Sequence, residues 1–258
     1  MWRLLRIVGL LLATLYVIGC TILFVYQRSI LYAPTRLPGV AEAFIERLSV
    51  DEAELALSVH NGAGPHAIIY FGGNGEEVSA RLDALILSFP NHGIYLQHYR
   101  GYGGSTGEPS EEVLHADAQL VYDLVKSRYD NIVVMGRSLG TGVAIRLAAA
   151  NPASHLVLIS PYDSILNVAR RRFPLMPMKL LLLDEFQSIR YAPEIQMPVL
   201  IIKAETDRII PHAHTDALLD TFAPGITRTV TIQGAGHNTI WAFEKTYMEL
   251  AEFIVVSK

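Results

Sequence analysis

Six short apolar runs alternate with helical patterns over the last three-quarters of the chain, and this alternation leaves few folds open. The runs are "AIIYFGG" (67–73), "GIYLQHYRG" (93–101), "NIVVMG" (131–136), "HLVLIS" (155–160), "PVLIIKA" (198–204) and "ITRTVTIQG" (226–234). Helical periodicity fills the intervals Glu76–Ser88, Glu111–Ser127, Leu139–Ala150, Pro211–Thr221 and Trp241–Val255. Runs this continuously apolar are strands buried on both faces, as in a mostly parallel sheet with helices on either side. Two weaker strands, "FIERLSV" and "ELALSV", precede them and read as an antiparallel edge pair. The expected fold is one α/β domain. One interval, Ser164–Gln196, is too long for a simple crossover and reads as a small lid of one or two helices.

The chain opens differently. Ile7 to Tyr26 is an uncharged apolar run, about as long as a bilayer-spanning helix requires. Arg3 and Arg6 precede it, and Arg28 and Arg36 follow. A cleaved signal peptide has a shorter core and a small-residue cleavage site. The expectation is an anchor over residues 1–28 and a domain over 29–258, with a lid at about 164–196. Positive charge is nearly balanced across the run; the amino terminus tips it towards a cytoplasmic start and an extracytoplasmic domain. In "VIGC", Cys20 stands where a lipid-acceptor cysteine would, but the following "TILFVY" stays apolar. Cys20 is the single cysteine, so no internal disulfide or zinc-type cysteine pair is possible. A net charge of −4 argues against a nucleic-acid partner.

Chemistry concentrates where the third of the six strands turns into a helix. Gly136-Arg137-Ser138-Leu139-Gly140 is a G-x-S-x-G pattern on that turn. Small flanking residues let strand and helix approach, so the serine hydroxyl is exposed in a strained conformation. Ser138 is the expected nucleophile; the alternative is an N-cap serine. A serine needs an adjacent base. His237, in "GAGHN" after the last strand, has the place of that base. Asp207, in "AETDRIIP" after the preceding strand, has the place of the orienting acid, with Asp163 and Glu205 as alternatives. His212 and His214 form an H-x-H with no third ligand pattern, and read as a solvated helix start rather than a metal site. The oxyanion donors are expected to be the backbone amides of Leu139 and of Asn74 in "FGGNG". The loop "YRGYGGSTGEPSEE" (99–112) lacks a phosphate-binding lysine and reads as a structural loop beside the pocket.

Together "RSILYAPTR", "FGGNG", "YRGYGGSTGEPSE", "GRSLGTGVA", "AETDRIIP" and "GAGHN" resemble the α/β-hydrolase superfamily. More narrowly, the chain resembles its small membrane-anchored members related to monoacylglycerol lipases, lysophospholipases and protein depalmitoylases. One departure is visible: the family usually has a histidine before the glycine of the oxyanion loop, and Gly72 stands there. The resemblance implies hydrolysis of an acyl ester or thioester, on a substrate that includes membrane lipid, with no cofactor and no metal. A peptidase or other amide hydrolase on the same triad is the second reading, and a non-enzymatic membrane-tethered module the third. The apolar "FPLMPMKLLLLDEF" suits a lid over an acyl chain, and equally a run of core leucines. Arg170, Arg171 and Arg172 read as a solvated helix face, with lipid head groups or an anionic substrate as the alternative.

Overall fold

A computed structural model describes residues 1–38 and 44–256. Eight strands form one sheet: β1 (Ile45–Val50), β2 (Ala53–His60), β3 (His66–Phe71), β4 (Gly93–Gln97), β5 (Asn131–Arg137), β6 (His155–Ile159), β7 (Val199–Ala204) and β8 (Thr227–Ile232). Their order is β1-β2-β4-β3-β5-β6-β7-β8. The edge pair β1–β2 is antiparallel and so is β2–β4; every later pairing is parallel.

Side chains alternate across the sheet and serve two separate cores. Ala67, Ile69 and Phe71 of β3 enter one core, shared with Val121 of helix α3 (Glu111–Lys126) and Val143 of α4 (Leu139–Ala150). Ile68 and Tyr70 face the other, packed on Leu85 of α2 (Leu82–Ser88) and Phe253 of α8 (Glu244–Val256). The helical intervals expected at 76–88 and 241–255 start late for local reasons. Glu76 turns its carboxylate back to the Gly73 amide, and Glu77 caps a 3₁₀ turn, Val78–Arg81, by accepting from the amides of Ser79 and Ala80. Ile240–Ala242 is likewise a 3₁₀ turn before α8.

The long interval holds α5 (Ile165–Arg172) and α6 (Met178–Leu181), then two 3₁₀ turns; α7 (His212–Leu219) follows β7. The leucines of the long interval are mixed: Leu166 is buried, while Leu175 and Leu180 are 82% and 81% exposed. Ahead of the domain, α1 (Trp2–Leu31) is long and apolar enough to cross a membrane. It is not isolated from the domain. Gln27 is buried: its Nε2 donates to the Leu181 carbonyl, and its Oε1 accepts from the Leu183 amide. Arg28 and the Tyr32 hydroxyl both donate to Asp184, which also caps the Glu111 amide at the start of α3.

Two positions offer direct tests of this packing. A Cβ on Gly140 would stand 2.1 Å from the Phe71 carbonyl oxygen, backbone against backbone. Gly140→Ala should therefore destabilise the domain by more than about 3 kcal/mol, the upper end for an overpacked core. A melting temperature unchanged by the substitution would contradict the close contact of α4 and β3.

His98 is buried beneath the loop after β4, its Nε2 against the Ser58 hydroxyl at 2.8 Å. Burial lowers its imidazole to about 4. The unfolded chain takes up that proton near pH 6.5, the folded one only near 4, so stability falls as the pH is lowered through this window. The loss amounts to roughly 3 kcal/mol. Thermal unfolding of the full chain in detergent from pH 7.5 to 4 should show a shallower decline for His98→Gln than for wild type. Parallel curves would exclude His98 as a source of it.

Candidate active site

Ser138 sits at the turn from β5 into α4 with φ +48° and ψ −118°, outside the region that non-glycine residues normally occupy. The surroundings hold it there. Its amide donates to the Ile159 carbonyl at 2.9 Å, and the Thr141 amide and hydroxyl donate to its own carbonyl. The flanking glycines are required by contact. A Cβ on Gly136 would lie 2.4 Å from the Gly140 oxygen.

His237 Nε2 lies 2.9 Å from Ser138 Oγ, and His237 Nδ1 lies 2.7 Å from Asp207 Oδ2. Two residues 69 and 99 positions beyond the serine thus join it in one hydrogen-bonded chain. Asp207 also accepts from the amides of Ile209 and Ile210. Burial opposes its ionisation, but the hydrogen bond and charge of His237 outweigh that and hold its carboxyl below the usual range. An ionised carboxylate only accepts, so His237 Nδ1 carries the hydrogen; in the neutral ring Nε2 then has the lone pair that faces the serine.

Asp163 is occupied differently. It accepts from the Ser164 amide, Asn167 Nδ2 and, at 2.8 Å, His214 Nδ1. His214 is therefore buried and paired rather than part of a solvated helix start, while His212 Nε2 meets the Ala204 carbonyl. The H-x-H pair is split between two partners. Glu205 accepts from the Gly234 amide.

An apolar cavity of about 230 Å³ opens at the serine, and Ser138, Leu139 and Asn74 all line it. α1 lines it through Leu23, Ile30 and Leu31, and α5 through Ile165 and Val168, with Phe173 just past the end of α5.

The chain is similar to several known proteins. No family model matches the chain. An uncharacterised protein of Mycobacterium tuberculosis is 36% identical over 182 residues, covering 69% of this chain and 64% of that protein. The α/β-hydrolase domain-containing protein 17C of Xenopus tropicalis is 34% identical over 168 residues, 64% of this chain and 53% of that one. The crystal structure of a monoacylglycerol lipase from Paleococcus ferrophilus matches with a TM-score of 0.62 at 17% identity, over 79% of this chain and 99% of that one. The chain has the α/β-hydrolase fold. It spans 64% and 53% of the length of the two curated relatives.

Within this hydrolase fold, the loop after β3 is braced in a way the sequence did not disclose. The Gly73 amide is spent on Glu76 Oε2 at 2.7 Å, so Asn74 is the next amide in the loop. Asn74 is fixed through its side chain: Oδ1 accepts from the Ala33 amide and from the Tyr102 hydroxyl. Tyr99 donates to the Gly72 carbonyl, so the glycine-rich 99–112 loop clamps the β3 loop from above.

Arg137 was also not foreseen. Its guanidinium, 5% exposed as a residue, donates to Glu76 Oε2, the His237 carbonyl and Asn238 Oδ1. One side chain therefore ties together the nucleophile turn, the β3 loop and the histidine loop. The available signal was a charged residue between a buried strand and the serine, where burial requires partners.

Proposed function

We propose that the protein is a membrane-anchored serine hydrolase that cleaves acyl esters or thioesters of lipid-like substrates through an acyl-enzyme on Ser138. The observation that carries this reading is the Ser138–His237–Asp207 hydrogen-bond chain opening on an apolar cavity. His237 Nε2 removes the hydroxyl proton as Ser138 Oγ attacks the acyl carbon, and Asp207 stabilises the imidazolium that results. The carbonyl oxygen becomes an oxyanion that receives the amides of Leu139 and Asn74, each worth roughly 2.7–4 kcal/mol in such sites. Collapse of the intermediate expels the alcohol or thiol, which takes the proton from His237. Water, deprotonated by the same imidazole, then releases the acid.

The anchor reading draws on the length and apolarity of α1 and on the exposed Leu175 and Leu180 beside it. Tyr16 donates to the Leu175 carbonyl and Cys20 contacts Met176, so lid and helix run together over several turns. The proposed arrangement has residues 1–28 as the anchor, 29–258 as the catalytic domain with its lid at about 164–196, and the domain on the extracytoplasmic side.

The test pairs p-nitrophenyl esters of graded chain length with aminoacyl amides, alongside a fluorophosphonate probe. Ester turnover rising with chain length and labelling at Ser138 are expected. Turnover of amides alone would replace this reading with a peptidase. No labelling, under conditions that label a control hydrolase, would remove the enzyme readings altogether.

A further inference from the structure

A second, basic recess of about 690 Å³ adjoins the apolar cavity. Arg171, Arg172, Arg208 and His214 line it, together with Val168 and Ile209. Val168, Arg172 and Ile209 line both compartments, so the two share a wall. Among the described residues, none of the three guanidinium groups has an ion-pair partner. The carboxylates of the same loops do not neutralise them. Asp163 is spent on Ser164, Asn167 and His214, and Asp207 on His237 and the amides of Ile209 and Ile210. His214 Nε2 is buried and has no hydrogen-bond partner.

We propose that this recess binds the phosphate-bearing head group of a lipid whose acyl chain fills the apolar cavity. It rests on the hydrolase reading above and narrows the substrate to anionic lysophospholipid-type acyl esters. Three unpaired guanidinium groups around one concavity concentrate a positive field, and each presents a planar fork that matches phosphate oxygens in pairs. A neutral glyceride would leave all three without a counter-charge. The wall common to both compartments joins charged head and apolar tail in one ligand, with the ester between them.

The experiment uses the full chain in neutral detergent micelles with two substrates of the same acyl chain, 1-palmitoyl-lysophosphatidylglycerol and monopalmitoylglycerol. The readout is the ratio of their kcat/KM values. In a variant carrying Arg171→Gln, Arg172→Gln and Arg208→Gln together, the ratio should fall about tenfold or more, since charge-assisted bonds to phosphate are lost. All three side chains are exposed, so the fold is not at stake. Arg170→Gln, on the same helix but outside the recess, should leave the ratio at the wild-type value. Inorganic phosphate should inhibit lysophospholipid turnover in wild type and less in the triple variant.

An unchanged ratio in a wild-type-like enzyme that still labels with fluorophosphonate overturns the head-group site alone. An effect confined to anionic vesicles, absent in neutral micelles, assigns the arginines to the bilayer surface and also overturns it. An equal fall from Arg170→Gln does the same, by showing a general charge effect. Absence of labelling in wild type removes the hydrolase reading and the site with it.

Discussion

Replacing Ser138 by alanine should lower ester turnover by about 10⁵–10⁶-fold, the scale seen when a triad nucleophile is removed. The effect is that large because His237 and Asp207 have no function without an oxygen to activate. Stability should hardly change: Ser138 Oγ makes one hydrogen bond, to His237, and the turn is held by backbone contacts to Ile159 and Thr141. Ser138→Gly provides a control on the geometry. At φ +48° glycine is unstrained, so this variant should be as inactive as the alanine form but melt higher, by roughly 1 kcal/mol of stability. Fluorophosphonate labelling must disappear in both. Persistent labelling or turnover in Ser138→Ala would place the nucleophile elsewhere.

Asp207→Asn should lower kcat by about 10⁴-fold, as the equivalent change does in serine proteases. The amide nitrogen introduced there favours the wrong tautomer. It donates to His237 Nδ1, which moves the ring hydrogen to Nε2 and removes the lone pair that receives the serine proton. Asp163→Asn should behave in the opposite manner. Its carboxylate organises Ser164, Asn167 and His214, so its loss should lower the melting temperature by an amount equivalent to about 1–3 kcal/mol while kcat stays within a few-fold. Comparing kcat with thermal midpoint for both variants separates the roles. The reverse pattern would exchange the two aspartates.

Both aspartates were visible in the sequence as loop residues after parallel strands, and Asp207 had the better position relative to His237. That much was legible because strand ends in a parallel sheet converge on one edge, so order along the chain becomes proximity in space. What stayed hidden were pairings that position alone does not encode. Arg137 meets Glu76 across 61 residues, and its identity within G-x-S-x-G carries no pattern. His214 looked solvated because its neighbours in sequence are polar or lie at a helix start; its partner Asp163 is 51 residues away. The leucine run at 180–183 was undecided between core and lid, and the structure leaves Leu180 and Leu183 exposed beside α1. The contact between α1 and the lid spans some 156 residues and no periodicity predicts it.

That contact has a kinetic consequence. Leu23, Ile30 and Leu31 belong to the helix proposed to anchor the protein, yet they form a wall of the cavity at Ser138. On that arrangement the cavity is open to molecules that diffuse within the leaflet. Encounter becomes a search in two dimensions, and velocity should follow the mole fraction of substrate in the membrane. Diluting the substrate with inert lipid at constant total lipid should slow the reaction, whereas diluting the whole suspension with buffer should not.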